Sequence, residues 1–103
     1  MDLMNTPPIV DVIIPAFNEE KSIGKVIGDI PTLVRHVVVA NNNSTDRTAE
    51  VAKAAGAQVV FEPQKGYGKA CLTAMDWIQQ QEVQPNILVF LDGDYSDYPQ
   101  ELE

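Results

Sequence analysis

The sequence is short of cysteine, of basic residues and of long apolar runs, and each shortage excludes a class of protein. A single cysteine, Cys71, excludes an internal disulfide and cannot build a cysteine zinc site. Lys and Arg total 7 against 15 Asp and Glu, a formal net charge of -8. With so little to neutralise phosphates, nucleic acid is excluded as a partner, and so is electrostatic docking of this portion on anionic lipid. No apolar run approaches the roughly 20 residues a membrane span needs. Met1 to Pro8 is polar and lacks the basic start of a signal peptide. The expectation is a cytoplasmic protein, one that in a longer form could work at the cytoplasmic face of the membrane.

What is present suits one small domain. The chain has 103 residues, 45% of them hydrophobic, enough for a real core at a size where the buried fraction is modest. Ile9 to Ile14 is a β-branched strand that Pro15 is expected to stop. Asn18 can cap a helix whose Ile23, Val26, Ile27 and Ile30 form one buried stripe, ended by Pro31. His36 to Ala40 is a second strand, and Asn41 to Asp46 a turn. A short helix through Val51, Ala52 and Ala55 is closed by Gly56. Gln58 to Phe61 is a third strand and Pro63 to Gly68 a loop. A third helix runs from Lys69 to about Gln81, with Cys71, Leu72, Met75 and Ile78 facing inward. Ile87 to Leu91 is a fourth strand.

Strands alternating with helices imply a parallel sheet with helices on both faces, a three-layer α/β/α arrangement with right-handed crossovers. The expected strand order is 3-2-1-4. Growth of the sheet then reverses between strands 1 and 4, and ligands of such sheets bind beyond the carboxyl ends of the strands at that switch. Three distant segments should meet there: Pro15 to Glu19, Asn41 to Asp46, and Asp92 to Asp94.

Each segment carries a chemistry and a plainer alternative. Asp92-Gly93-Asp94 ends a core strand. Two carboxylates one residue apart suit a hard divalent cation; Mg²⁺, for one, is usually held by one or two carboxylates and substrate phosphates. The alternative is a solvated acidic turn. Asp97 fits an orienting role in that turn. Glu19 can take a ribose hydroxyl, or simply sit at a helix start that favours an acid. Phe17 can flank a base or fill the core. The amides of Asn41 and Asn42 can read a base edge or simply serve the turn; Ser44, Thr45 and Asp46 are what a turn and a helix cap need. Lys65-Gly-Tyr-Gly-Lys69 leads into a helix start that can favour an anion, and Lys69 is the candidate for a diphosphate. It has neither the Walker spacing nor a G-x-G-x-x-G after strand 1. His36, Cys71 and Trp77 are read as packing residues.

Val12-Ile-Ile-Pro-Ala-Phe-Asn-Glu-Glu20, Asn42-Asn-Ser-Thr-Asp-Arg-Thr48, Gly66-Tyr-Gly-Lys-Ala70 and Val89-Phe-Leu-Asp-Gly-Asp94 stand in an order and spacing that resembles the nucleotide-sugar-binding half of family 2 glycosyltransferases. Their context is closest to dolichyl- or polyprenyl-phosphate sugar synthases. The resemblance implies a Rossmann-like GT-A fold and sugar transfer from a UDP- or GDP-linked donor with Mg²⁺ or Mn²⁺. It implies that Pro15, Phe17 and Glu19 line the nucleoside pocket and that Lys69 lies near the nucleotide. Asp92 would face the ribose or donor sugar and join Asp94 at the metal, with Ser96 close by. Asn41 and Asn42 fall on the family's usual acidic pair, so base recognition would run through uncharged amides. No residue matches the family's acceptor-side base.

The expectation from these features is the donor- and metal-binding half of a glycosyltransferase, with residues 1–103 as a single, truncated nucleotide-sugar-binding domain. A polyprenyl phosphate is a compatible acceptor, because a phosphate is already ionised. The rival from another class is a non-catalytic nucleotide-binding or assembly module that forms a homo-oligomer through an uncovered sheet edge.

Overall fold

The structure is a computed structural model that describes residues 7–93; Asp94, Ser96 and Asp97 lie outside the described residues. Its elements are β1 (Val10–Ala16), α1 (Ile23–Gly28), β2 (His36–Asn41), α2 (Thr48–Ala54), β3 (Gln58–Phe61), α3 (Tyr67–Gln79) and β4 (Ile87–Phe90). All strand pairs are parallel, and the order is β3-β2-β1-β4, as the alternation of elements required.

Alternation along the central strands sorts the core into two layers. Val12, Ile14 and Ala16 of β1 and Val39 of β2 meet Ile23, Val26 and Ile27 of α1 and Ala52 of α2. Ile13, Val38 and Ala40 point the other way, onto Ala70, Ala74 and Ile78 of α3. Each fully buried Ile or Val contributes about 1.5–3 kcal/mol. β1, flanked on both edges and covered on both faces, is the most buried element.

Four local expectations are corrected. Pro15 does not stop β1, which continues to Ala16 with Pro15 in register with Ala40 of β2. Odd-numbered β1 residues bond towards β4, where the Leu91 N–H donates to the Ile13 carbonyl. Even-numbered ones bond towards β2, where the Asn42 N–H donates to the Ala16 carbonyl. The N–H that proline lacks would have faced β4, so pairing with β4 ends while pairing with β2 goes on. Asn18 does not cap α1, which begins only at Ile23 after Ser22. α1 also ends at Gly28, leaving Ile30 beyond it but still packed on the core. In α3 the inward stripe is Ala70, Ala74 and Ile78, flanked by Cys71 and Met75, while Leu72 is 60% exposed. Two alanines let this helix lie close to the sheet, which moves the buried face away from Leu72. Gly56 closes α2 as expected, at a left-handed φ of 99°.

The amino-terminal end of the sheet is tied by a buried acid. Asp11 is fully buried and accepts two bonds from the Arg35 guanidinium, at 3.1 and 2.7 Å. It also accepts the His36 N–H at 3.1 Å. Arg35 donates in turn to the Val83 carbonyl, drawing the α3–β4 loop onto this end. The Asp11 hydrogen bond raises the Arg35 guanidinium above its ordinary value. The His36 and Trp77 rings meet edge to face nearby. This end is stitched shut; the carboxyl end is where the loops open.

Candidate functional site

The loops after β1 and β2 are interlocked. Asn18 adopts a left-handed φ of 53°, which an asparagine tolerates better than most residues. Its Oδ1 accepts the Thr45 N–H at 2.8 Å, and its own N–H donates to Ser44 Oγ at 3.0 Å. One residue on, the Glu19 N–H donates to Thr48 Oγ1 at 2.8 Å. The Glu20 N–H donates to Asp46 Oδ2 at 3.3 Å. Asp46 Oδ1 takes the Thr48 N–H at 2.9 Å and the Thr48 hydroxyl as well. Desolvation pushes the Asp46 carboxyl up, but the bonds from Thr48 and Glu20 outweigh it and hold the group below its ordinary value. Ser44, Thr45 and Asp46 therefore serve the turn, as their types suggested.

The end of β4 joins this frame through Gly93. Ser22 Oγ donates to the Gly93 carbonyl at 2.8 Å and lies 3.3 Å from Glu19 Oε2. A Cβ at residue 93 would stand 3.3 Å from both Ala16 Cβ and Glu19 Cγ, so only glycine fits without displacing a neighbour. Gly93 is buried while Asp92, one residue before it, is exposed.

A fourth segment, the loop after β3, completes the edge. The Glu62 N–H donates to the Asn41 carbonyl at 2.9 Å. Asn42 Nδ2 donates to the carbonyls of Glu62 and Gln64, at 3.1 and 2.6 Å, and its Oδ1 accepts the Gly66 N–H at 2.9 Å. The Glu62 carboxylate accepts from the Thr73 hydroxyl on α3 and from the Gln64 N–H. Those two bonds, the Thr73 one foremost, and the nearby Lys69 charge hold it below its ordinary value against the opposing effect of burial. Lys65 Nζ stands 4.8 Å above the centre of the Phe17 ring.

The sequence candidates fall as follows. Pro15 is buried at the end of β1, with Phe17 half-buried just past it and Glu19 half-buried on the loop beyond. Asn41 is buried at the end of β2, its Oδ1 accepting the Ser44 N–H at 3.1 Å. Asn42 is also buried, and both its N–H donors are taken by loop carbonyls. Lys69 lies exposed in the first turn of α3. Asp92 sits at the tip of β4; Asp94 lies outside the described residues. The segments after β1, β2 and β4 thus meet at one edge. The segment after β3 joins them through the Glu62 backbone and the Asn42 side chain. The structural work of Glu62 and Thr48 was not expected from the sequence; for Asn42 a structural role stood as the alternative to a base contact. A hint was present for Glu62, an acid placed directly after its strand, much as Asp92 closely follows β4.

Among the described residues no group of three or more His, Cys, Asp and Glu is placed to hold a metal. Among the same residues no helix is long and apolar enough to cross a membrane.

Comparison with known proteins agrees with this geometry. The sequence model of glycosyl transferase family 2 matches residues 11–103. The chain is 54% identical over 61 residues to an uncharacterized glycosyltransferase of Mycobacterium tuberculosis, covering 59% of this chain and 28% of that protein. It is 39% identical over 66 residues to a dolichyl-phosphate hexose transferase of Haloferax volcanii, covering 62% and 29%. The fold superposes on glucosyl-3-phosphoglycerate synthase of Mycobacterium tuberculosis in complex with Mn²⁺, UDP-glucose and glycerol 3-phosphate, with a TM-score of 0.72 and 31% identity, over 84% of this chain and 34% of that one. The chain spans about a third or less of the length of each.

Proposed function

The chain belongs to glycosyl transferase family 2, and from that premise we propose that it is the donor-binding part of an enzyme that transfers a sugar from a UDP- or GDP-linked donor to an acceptor. The observation that carries this reading is the convergence of the segments after all four strands at the carboxyl edge of a parallel sheet, where such folds bind nucleotides.

In this reading Pro15 and Phe17 flank the nucleoside. Glu19 takes a ribose hydroxyl. Asn41 reads the base with its amide N–H groups, for which no described residue supplies an acceptor. Asn42 keeps one acceptor lone pair on Oδ1 after bonding the Gly66 N–H. Lys69 faces the diphosphate. Asp92 turns towards the ribose or donor sugar and shares a divalent cation with Asp94.

The residues present fit Mg²⁺ or Mn²⁺. Asp92 is exposed on a turn locked by Gly93, and such ions commonly take one or two carboxylates with phosphate and water oxygens completing the shell. When bound, the cation neutralises charge that develops on the diphosphate leaving group. The glucosyl-3-phosphoglycerate synthase complex with Mn²⁺ and UDP-glucose supports this assignment by similarity.

No described residue is assigned as the base for the acceptor. A phosphate acceptor is already ionised and needs little base assistance, and the similarity to a dolichyl-phosphate hexose transferase supports a polyprenyl phosphate in that role. A second reading, an assembly module that pairs through a sheet edge, is favoured by β4. Among the described residues it is an edge strand, with Ile87 and Phe90 45% and 49% exposed.

Calorimetry of the folded chain with UDP and GDP, with and without Mn²⁺, tests the main reading. Metal-dependent binding of one nucleotide is expected, and Asp94→Ala should abolish the metal dependence. A folded sample that binds neither nucleotide would sink the proposal. Sedimentation showing only monomers would sink the pairing reading.

A further inference from the structure

The side-chain amide of Asn42 spends three of its bonds on one short loop. Both its donors go to carbonyls, of Glu62 and Gln64, and its oxygen takes the Gly66 N–H. No carboxylate could replace it: an aspartate would accept from Gly66 but set a second oxygen against two carbonyls. The Glu62 side chain adds a second clamp, from Gln64 N–H to Thr73 on α3. Lys65 is therefore the residue between two clasped neighbours, and its ammonium lands 4.8 Å over the Phe17 ring. Lys69 has its charge answered in part by Glu62. Among the described residues no carboxylate forms an ion pair with Lys65, which meets only an aromatic face.

We propose that Asn42 is a positioning residue that clasps the loop of residues 62–66 so that Lys65 is held over Phe17, and that Lys65 is thereby a cationic wall of the pocket for the anionic part of a nucleoside diphosphate. The ligand role rests on the donor-binding reading above; the clasp does not. The amide at 42 thus trades a charge that could meet a ligand directly for a loop that presents a different charge. The ring fixes where the ammonium waits, and a diphosphate entering beside Phe17 finds a cation whose charge no described carboxylate has already paired.

The test has two arms on the full chain. In the first, NMR reads the protons on Lys65 Cε, which the Phe17 ring current should shift upfield in the wild type. Asn42→Ala and Asn42→Asp should abolish that shift while the amide resonances of β1 and β2 stay dispersed. Hydrogen exchange on the wild type should find the Gly66 amide protected. An unshifted Lys65 or an unprotected Gly66 amide in the wild type overturns the clasp, as does a shift that survives in both Asn42 variants. Because the wild-type measurements stand alone, an Asn42 variant that fails to fold leaves this arm decisive.

In the second arm, UDP is titrated with Mn²⁺ present. Lys65→Met, at an exposed position, should weaken binding about two- to fivefold, the size expected of one cation at an exposed site. Asn42→Ala should cost at least as much, its own contact with the base included, and adding Lys65→Met to it should cost little more. Losses that multiply, or an unaffected Lys65→Met, overturn the ligand role. A wild type that binds no nucleotide removes the donor reading and the ligand role together, with the NMR arm still deciding the clasp.

Discussion

The Ser22 hydroxyl donates to the Gly93 carbonyl across 2.8 Å, joining the turn ahead of α1 to the end of β4. The two residues are 71 apart in sequence. Their contact fixes the tip that carries Asp92 against the loop that carries Glu19, with the Glu19 carboxylate 3.3 Å from the same hydroxyl. One side-chain hydroxyl on a backbone carbonyl, with the close packing of Gly93 on Ala16 and Glu19, sets the spacing of the two acidic residues proposed to face the donor.

Gly93→Ala should therefore be felt twice. The new methyl would press on Ala16 and on Glu19, of which only Glu19 has a flexible end. Overpacking of this kind costs about 1–3 kcal/mol. Urea denaturation should show a loss in that range, and calorimetry should show weaker metal-dependent nucleotide binding because Asp92 moves with its turn. Ser22→Ala removes one hydrogen bond and should cost about 1 kcal/mol. A Gly93→Ala protein as stable as wild type and binding equally well would contradict the close-packing role.

Thr48 is fully buried and serves two loops, accepting the Glu19 N–H and donating to Asp46. Thr48→Val keeps the shape but strands the Glu19 N–H and removes a donor from Asp46. Leaving such groups unsatisfied should cost about 1–3 kcal/mol. Thr48→Ser keeps the hydroxyl and should lose less. Thermal unfolding of the two variants side by side checks the difference, and equal losses would point to the methyl group instead.

Acid should weaken the fold through Glu62 and Asp46. Both carboxyls are held below their ordinary values, 4.5 and 3.8, in the folded chain. A depressed folded value means the unfolded state binds more protons as pH falls. The stability these groups contribute is full above the ordinary values and is lost as pH drops from there through the lower folded ones. Melting temperature against pH should be flat near neutrality in this respect and fall below about pH 4.5. Glu62→Gln should melt lower than wild type at pH 7, with the gap narrowing in acid. A gap that stays constant down to pH 3 would show that the charge on Glu62 is not what matters.

Much of this was legible in the residues. β-branched runs alternating with amphipathic stripes specify a parallel sheet, and the rule for carboxyl ends then places the site without any contact being known. What could not be read were partners. An asparagine in a turn suits a base edge and a loop clasp equally well, and only the positions of the Glu62 and Gln64 carbonyls decide where Asn42 spends its donors. Leu72 looked like core because the leucine outweighs two alanines in any apolar pattern, although the small residues mark where α3 approaches the sheet. Asp11 sat unnoticed within a β-branched strand because its counter-charge, Arg35, is 24 residues away.

Pro15 shows how register decides what a residue does. Its missing N–H faces β4, so it ends that ladder at the point where Leu91 gives way to Asp92, while β1 keeps pairing with β2. Pro15→Ala restores a donor aimed at the end of β4. One more bond would then draw Leu91 and Asp92 into the strand and away from the turn. The substitution also frees the unfolded chain, which alone costs about 0.4–1 kcal/mol. A new ladder bond offsets part of that, so net stability should change by less than about 1 kcal/mol. Hydrogen exchange should find the restored amide at position 15 protected, and metal-dependent nucleotide binding should weaken although the fold stays intact. An unprotected amide with unchanged binding would show that β4 leaves the sheet for another reason, with the Gly93 contacts as the remaining cause.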